Sequence, residues 1–446
     1  MKKCKILVGD IMLSRKIDIF LDNWIHRKRK KALIIEGPGQ VGKTHSVLQF
    51  AKRNYGLKNF VYVNFKEHKE LSRVFNRDLT TDRLVQEIKV RFAEKELEKG
   101  DSLIFFDDIQ ECPSAIQDLR KFTDDGGYDV IASGNYLGPI ISKMKSFPVG
   151  YIERFEMKSL DFEEYLWANN FKEERISYFR DMYLNQEFRL AASHDLLIDL
   201  FKEYMVIGGM PEVVSEYVHD RNFKKSFEIQ QNIIKSYKDG ITKYASTVMA
   251  KKVIECLTSV PLQLCKNNKK FQYRYVSSKG RASKYESSVK WLIESYLCFR
   301  SDNVIIPKRP LSENMRIDTF KIYLHDPGLL VSMLGEDMQL RILRGEVGVS
   351  NGAALESVIA TILNANGYQL YYYEKNSTLD IDFIIPVDRV EAAIVVREAD
   401  NAKSKTLSSV ITKYDVDHGI KFSMTNANKK GNIETYPLYM SMFLKR

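Results

Sequence analysis

Through the first 185 residues, short apolar runs alternate with amphipathic stretches. The run "KALIIEG" (31–37) is apolar and bounded by glycine, the pattern of a short buried strand. "KTHSVLQFAKRN" (43–54) places Val47, Leu48 and Ala51 at helical spacing. "FVYVNF" (60–65), "DSLIFFDDIQEC" (101–112) and "YDVIASGNYLG" (128–138) repeat the strand pattern. Strands alternating with helices predict a parallel three-layer α/β sheet. "MKSLDFEEYLWAN" (157–169) is expected to close this domain, with Asp161 capping a helix and Glu164 three residues on.

Periodicity turns helical from about 186 to 250. "LIDLFKEYMVIGGMPEVVSEYV" (197–218) is broken by Gly208-Gly209 and Pro211, which predicts a helix–turn–helix corner. "KKVIECLTSVPLQL" (251–264) and "SKYESSVKWLIESYLCF" (283–299) are again helical, joined by "KNNKKFQYRYVSSKGRAS" (266–283). The strand-like runs "NVIIPKRPL" (303–311) and "FKIYLHD" (320–326) follow. Helix, basic connection, helix and two-stranded ribbon outline a winged helix. "NGAALESVIATILNANG" (351–367) predicts a helix capped at Gly367, and three strand-like runs come after it. Domains are expected at 1–185, 186–340 and 345–446.

Composition narrows the class. The 446 residues are 44% hydrophobic and 28% charged, ordinary for a globular chain. No apolar run reaches the ~18 residues of a membrane helix, so no membrane partner is expected. Gly9 and Asp10 break the apolar core of the N-terminus, which reads as mature protein. Cys4, Cys112, Cys256, Cys265 and Cys298 form no C-x-x-C pair, which points to a reducing cytoplasm and away from a zinc site. The net charge of +10 permits nucleic-acid binding.

The first candidate chemistry lies between the strand and helix of residues 31–54. Gly37, Pro38, Gly39, Gln40, Val41, Gly42, Lys43, Thr44 and His45 fit a phosphate-binding loop. The glycines let the backbone turn its N–H groups inward, and the helix start adds partial positive charge. Lys43 is expected on the β- and γ-phosphates and Thr44 on Mg2+. "LIFFDD" ends in Asp107, a second Mg2+ ligand, and Asp108, a candidate to polarise the attacking water. Ser133 or Asn135 is expected to sense the γ-phosphate. The cofactors implied are ATP and Mg2+. An extra strand between phosphate loop and acidic strand suits the ATPase branch of this fold.

"LIFFDDIQECPSAIQDLRKF", "VIASGNYLG", "SFPVG" (146–150) and "LDFEEYL" (160–166) resemble bacterial and archaeal AAA-type ATPases with a C-terminal domain of unknown function. "GGMPEVV" and "SYKDGITKY" (236–244) look like that family's middle domain. "GAALES", "LDIDFII", "AKSKTLSS" and "YPLYM" look like its restriction-endonuclease-like tail. The resemblance implies an α/β P-loop NTPase domain, then a helical and winged-helix domain, then a small α/β tail. Two departures stand out, Asp107-Asp108 for Asp-Glu and Gly134-Asn135 for Gly-Ser. An aspartate carboxylate sits roughly 1.5 Å further back than a glutamate, and a 1 Å misplacement costs about a hundredfold in rate, so slow hydrolysis is expected.

Lys266, Lys269, Lys270, Arg274, Lys279, Arg281 and Lys284 form a basic run with no Asp or Glu among them, the candidate DNA or RNA contact. Phe271, Tyr273 and Tyr275 alternate as one inward face of a strand would. In the tail, a nuclease of this type needs one acid and then Glu-x-Lys to hold Mg2+. Asp382 keeps the first place and Glu356 is an auxiliary acid, but Val395-Val396-Arg397 stands at the second. Valine cannot bind a metal, so a tail that does not cut is expected, with Glu398 able to rescue it only through a bulge. The reading is a cytoplasmic Mg2+-dependent ATP-binding protein and slow ATPase whose nucleotide state controls a nucleic-acid-binding unit. The alternative is a nucleotide-gated DNA-binding switch without hydrolysis. Expected partners are ATP, DNA and a second copy of the chain.

Overall fold

The structure is a computed structural model that describes residues 13–187, 193–346, 349–375, 379–387, 390–397 and 404–445. The chain divides into two compact units. One comprises Ser14–Lys158 with Glu294–Tyr296, and the other holds Ser159–Ile293 and Leu297–Arg446. We call them the N-terminal and C-terminal units.

The N-terminal unit is built on five strands: β1 (Ala32–Glu36), β2 (Phe60–Asn64), β3 (Leu103–Asp107), β4 (Asp129–Gly134) and β5 (Ile152–Glu156). Their order is β2-β3-β4-β1-β5 and every pairing is parallel. β1 and β3 are buried along their whole length, as near-continuous apolar strands covered on both faces must be. The strand inserted between β1 and β3 in space is β4, although β2 lies between them in sequence. Helix Lys43–Tyr55 turns Val47, Phe50 and Ala51 inward, and helix Pro113–Asp125 turns in Ala115, Ile116, Leu119 and Phe122. All strands run the same way, so Glu36, Asn64, Asp107, Gly134 and Glu156 lie at one edge. That carboxyl edge is where open α/β sheets bind ligands.

The helix expected to close this domain, Phe162–Ala168, belongs to the other unit. Its cap is as predicted: the Asp161 carboxylate accepts the Glu164 N–H at 3.0 Å, and Glu164 accepts the Asp161 N–H at 3.1 Å. The corner at Gly208-Gly209 separates helices His194–Ile207 and Pro211–Asp220. Gly208 has φ +72°, and a Cβ on Gly209 would lie 1.9 Å from the Leu160 carbonyl oxygen. Asp326 ties the corner down. It accepts the Gly209 N–H at 2.7 Å and caps the next helix through the Leu329 N–H at 3.0 Å.

The C-terminal unit carries eight strands: β6 (Cys298–Val304), β7 (Met315–Leu324), β8 (Leu370–Lys375), β9 (Leu379–Val387), β10 (Val390–Val396), β11 (His418–Ser423), β12 (Asn428–Lys430) and β13 (Ile433–Pro437). They form one mixed sheet in the order β12-β13-β11-β10-β9-β8-β6-β7. The two-stranded ribbon β6–β7 is part of the tail's own sheet, joined by parallel pairing of β6 with β8. Its tip is fastened as well: the Arg309 Nε donates to Glu391 at 2.5 Å, and Lys308 pairs with Asp415 at 3.3 Å. The middle helices, the ribbon and the tail form one unit, with no division near residue 340.

Candidate functional site

The phosphate loop leaves β1 under tight constraint. Gly37 has φ +144°, and a Cβ there would lie 2.1 Å from the Met157 carbonyl oxygen. Gly42, at φ +99°, is the residue from which helix Lys43–Tyr55 starts. Both conformations favour glycine. Val41 is buried, and its carbonyl accepts from the Arg15 guanidinium at 2.8 Å. The same guanidinium donates to the Lys158 carbonyl at 2.8 Å, so Arg15 clamps the loop to the end of β5. His45 lies exposed in the first helical turn.

Lys43 is buried and turned along the loop. Its ammonium donates to the Gly37 carbonyl at 3.1 Å, the Pro38 carbonyl at 2.5 Å and Asn135 Oδ1 at 2.7 Å. Burial pulls its pKa down to about 7, against the partial support of Asp107 and Asp108. Asn135 thus reaches the site through Lys43. Ser133 reaches it through Asp107, its hydroxyl donating to Oδ1.

Asp107 is buried at the end of β3, and its partners are neutral. Oδ2 accepts from Thr44 Oγ1 at 2.9 Å, Tyr62 OH at 2.9 Å and Asn64 Nδ2 at 3.5 Å. A threonine hydroxyl beside a carboxylate is an oxygen pair of the kind Mg2+ takes, with water and phosphate completing its octahedron. The residues present therefore fit the ion.

Asp108 stands differently. Its backbone is left-handed at φ +50°, and its side chain is tied down. Oδ1 accepts from Lys66 at 2.7 Å and Gln110 Nε2 at 2.7 Å, while Oδ2 lies 3.4 Å from Asn64 Nδ2. Gln110 also accepts the Asn135 N–H at 3.1 Å. Lys66 thus holds the Asp108 carboxylate in an ion pair at 2.7 Å. The sequence reading did not find Arg15, Tyr62, Asn64, Lys66 or Gln110. A signal existed for two of them, because β2 is a buried strand that, like β3, gives way to polar residues at its end. In the observed register Asn64 lies beside Asp107. Arg15 carries no local signal.

At the nuclease-like centre the acids meet cations. Glu356 Oε1 accepts from Lys321 at 2.8 Å and Tyr323 OH at 2.5 Å, and Oε2 accepts from Lys269. Burial opposes the Glu356 charge, but the two ammonium groups outweigh it and hold the carboxyl well below its usual range. Asp382 accepts from Arg397 at 2.6 Å and from the Val396 N–H at 2.8 Å. Its pKa is nevertheless raised, by burial first, with Arg397 opposing. Val395 lies in an apolar cluster with Tyr371, Tyr373, Leu407 and Val410. Among the described residues no group of three His, Cys, Asp or Glu could hold a metal. Glu398 lies outside the described residues. Lys321 was the missed clue, a lysine inside an apolar strand that needs a buried countercharge.

The basic connection is not the strand expected. Tyr273–Tyr275 is a single helical turn, and of the three aromatics only Phe271 is buried, stacked on Phe320 at 5.9 Å. Tyr275 is 40% exposed, with Lys266 over its ring at 3.1 Å and Arg274 at 4.9 Å. Two of the seven cations are turned to acids. Lys269 meets Glu356, and Lys270 pairs with Glu374 at 2.9 Å. Arg274, Lys279, Arg281 and Lys284 are exposed, and Lys266 is half-buried.

This strand order, with a glycine loop between β1 and a helix and an acid ending β3, defines a P-loop NTPase of the AAA type. Residues 29–166 match the family model described as AAA domain, and this part of the chain is an AAA-type ATPase domain. Residues 198–340 match a model described as Domain of unknown function (DUF8612). No curated protein matches the sequence. Among solved structures, the chain is similar to a Walker-type ATPase of Pyrococcus abyssi at 13% identity and TM-score 0.42, over 72% of this chain and 96% of that one. It is also similar to Cdc6p from Pyrobaculum aerophilum at 13% identity and TM-score 0.26, over 77% and 97% of the two chains. A third is the Orc1 protein of Aeropyrum pernix in complex with DNA, at 11% identity and TM-score 0.29, over 76% and 94%.

Proposed function

We propose that the chain binds ATP with Mg2+, hydrolyses it slowly, and uses its nucleotide state to govern nucleic-acid binding by the basic connection. The observation that carries the first part is the convergence of Lys43, Thr44 and Asp107 at the carboxyl edge of a parallel sheet, with Thr44 Oγ1 2.9 Å from Asp107. Loop amides and Lys43 grip the phosphates, and Lys43 exchanges the Gly37 and Pro38 carbonyls for phosphate oxygens. Thr44 and Asp107 hold the ion, which supplies charge neutralisation at the β- and γ-phosphates. Asn135 reports the γ-phosphate through Lys43. Asp108 orients water once it leaves Lys66, and this tie together with its short side chain makes turnover slow. The same tie favours the second reading, a nucleotide-gated binder without hydrolysis.

The nucleic-acid part is supported by exposed Arg274, Lys279, Arg281 and Lys284, with half-buried Lys266 beside them. Coupling is motivated by both sites sitting on one chain. Cleavage by the tail is disfavoured because Lys321, Lys269 and Arg397 neutralise its acids. A cytoplasmic location is supported by Cys112, Cys256 and Cys298, which are free thiols. Among the described residues no helix is long and apolar enough to cross a membrane. The test is phosphate release from ATP, with and without DNA. Lys43→Ala should lose at least about thirtyfold in ATP affinity, since about 2–5 kcal/mol follows truncation of one partner of a buried charge pair. Turnover that survives Lys43→Ala would refute the site. ATP binding without turnover would select the second reading.

A further inference from the structure

We infer that Glu356 and Glu374 are positioning residues for the basic connection, holding its inner side so that its outer cations face a nucleic-acid backbone. The inference rests on the nucleic-acid reading above and names what shapes that site.

The connection is fastened along one short stretch. Lys269 meets Glu356, and Lys270 meets Glu374 at 2.9 Å. Next, the Phe271 N–H donates to the Phe320 carbonyl at 2.8 Å, and the Gln272 N–H donates to Gln263 Oε1 at 2.7 Å. Four consecutive residues are thus tied to the edge strand β7, strand β8 and two flanking helices. Glu356 is itself fixed from the other side by Lys321 and Tyr323.

Beyond these ties the chain folds back on itself. The Val276 N–H donates to the Tyr273 carbonyl at 3.1 Å, and the Gly280 N–H donates to Ser277 at 2.8 Å. A Cβ on Gly280 would lie 1.8 Å from the Tyr273 carbonyl oxygen, so the turn packs against the residue that directly follows the tethered stretch. Lys279 and Arg281 flank that glycine, and Lys284 follows one helical turn later. Their spacing is therefore set by residues 269–272 and, through them, by two carboxylates that touch no ligand. Prepaid ordering of this kind raises affinity without adding a contact.

The sign of one effect separates this from plain electrostatics. Removing an acid beside a basic surface should strengthen binding to a polyanion, and it would also free Lys270. Anchoring predicts the reverse. Glu374→Gln should weaken binding of a short fluorescein-labelled DNA duplex by about 5–30-fold, the scale of one backbone residue left to be ordered on binding. The dependence of log affinity on log salt should keep its slope, because no phosphate contact is lost. Lys270→Met should match Glu374→Gln, and the double variant should be no worse than either. Amide exchange across 271–281 should quicken in each.

Glu356→Gln should act in the same direction. Because that acid is deeply buried and its variant can fail to fold, Glu374, nearer the rim, carries the test. Unchanged or tighter binding by folded Glu374→Gln overturns the inference while leaving the nucleic-acid reading intact. A shallower salt slope in Lys270→Met would make Lys270 a phosphate contact and overturn it as well. Wild-type protein that binds no duplex would remove the underlying reading, and this inference with it.

Discussion

In the five-stranded sheet Asp107 is buried at a strand end among neutral donors, the hydroxyls of Thr44, Ser133 and Tyr62 and the Asn64 amide. In the eight-stranded sheet Asp382 is as deeply buried, and so is Glu356 on the helix packed against it, yet their partners are Arg397, Lys321 and Lys269. The contrast separates a site that can hold a cation from one whose charge is already balanced. Neutral donors orient a carboxylate and leave its charge for Mg2+. An ammonium or guanidinium in contact cancels that charge and binds far more cheaply than a metal ion would. Asp108 lies between these cases, a carboxylate at a functional edge held by the half-exposed Lys66.

Removing a carboxylate from the balanced site should give the largest effect. Glu356→Ala leaves Lys321 buried without its countercharge and should cost about 3–5 kcal/mol in chemical denaturation. The pair Glu356→Leu with Lys321→Met should recover most of it. A single-variant loss below about 1 kcal/mol would show that the network is not what balances Lys321.

Asp108→Glu comes next. Restoring the methylene should raise turnover by up to about a hundredfold with little change in KM. Equal turnover in the two proteins would place the limit elsewhere, with the Lys66 tie the next variant to make.

A smaller effect distinguishes the outer cations from the anchored ones. Changing Lys279, Arg281 and Lys284 together to Gln should flatten the salt dependence of DNA binding by about 2.7, roughly 0.9 for each. Lys269→Gln should leave the slope alone and lower thermal stability. A slope that falls with Lys269→Gln would move that lysine to the interface.

The smallest expected signal is protonic. Lys43 has its pKa lowered to about 7, so above that pH the free protein holds it largely neutral. A bound triphosphate favours the charged form and raises the pKa. Binding near pH 8 should therefore take up close to one proton, and binding below about pH 6 almost none. Calorimetry in buffers of different ionisation enthalpy reads this directly, and proton release near pH 8 would contradict it.

Much of the N-terminal site was legible because its signals are local. A glycine-rich turn between an apolar strand and a helix needs only neighbouring residues to declare itself, and so does an apolar run ending in two acids. The helix cap of Asp161 with Glu164 was legible for the same reason. The aromatics at 271, 273 and 275 misled for the opposite reason, since alternation suggests a strand only where a neighbouring strand is present to pair with. β7 is an edge strand, and the connection meets it through the Phe271 N–H and ring rather than as a paired strand. The joining of the ribbon to the tail's sheet was not legible either, because the pairing of β6 with β8 links segments about 70 residues apart.

By itself, then, the amino-acid sequence determined the phosphate loop, the acid at the end of β3, the parallel α/β character of the first unit and an apolar Val395 that cannot bind a metal. These depend on residue type and on contacts within a few positions. The tertiary structure alone decided that Lys66 restrains Asp108, that Arg15 clamps the loop, and that Lys269 and Lys321 balance Glu356. Each of those joins a charged side chain to a partner far away in the chain, and the choice of partner follows from which strands and helices pack together.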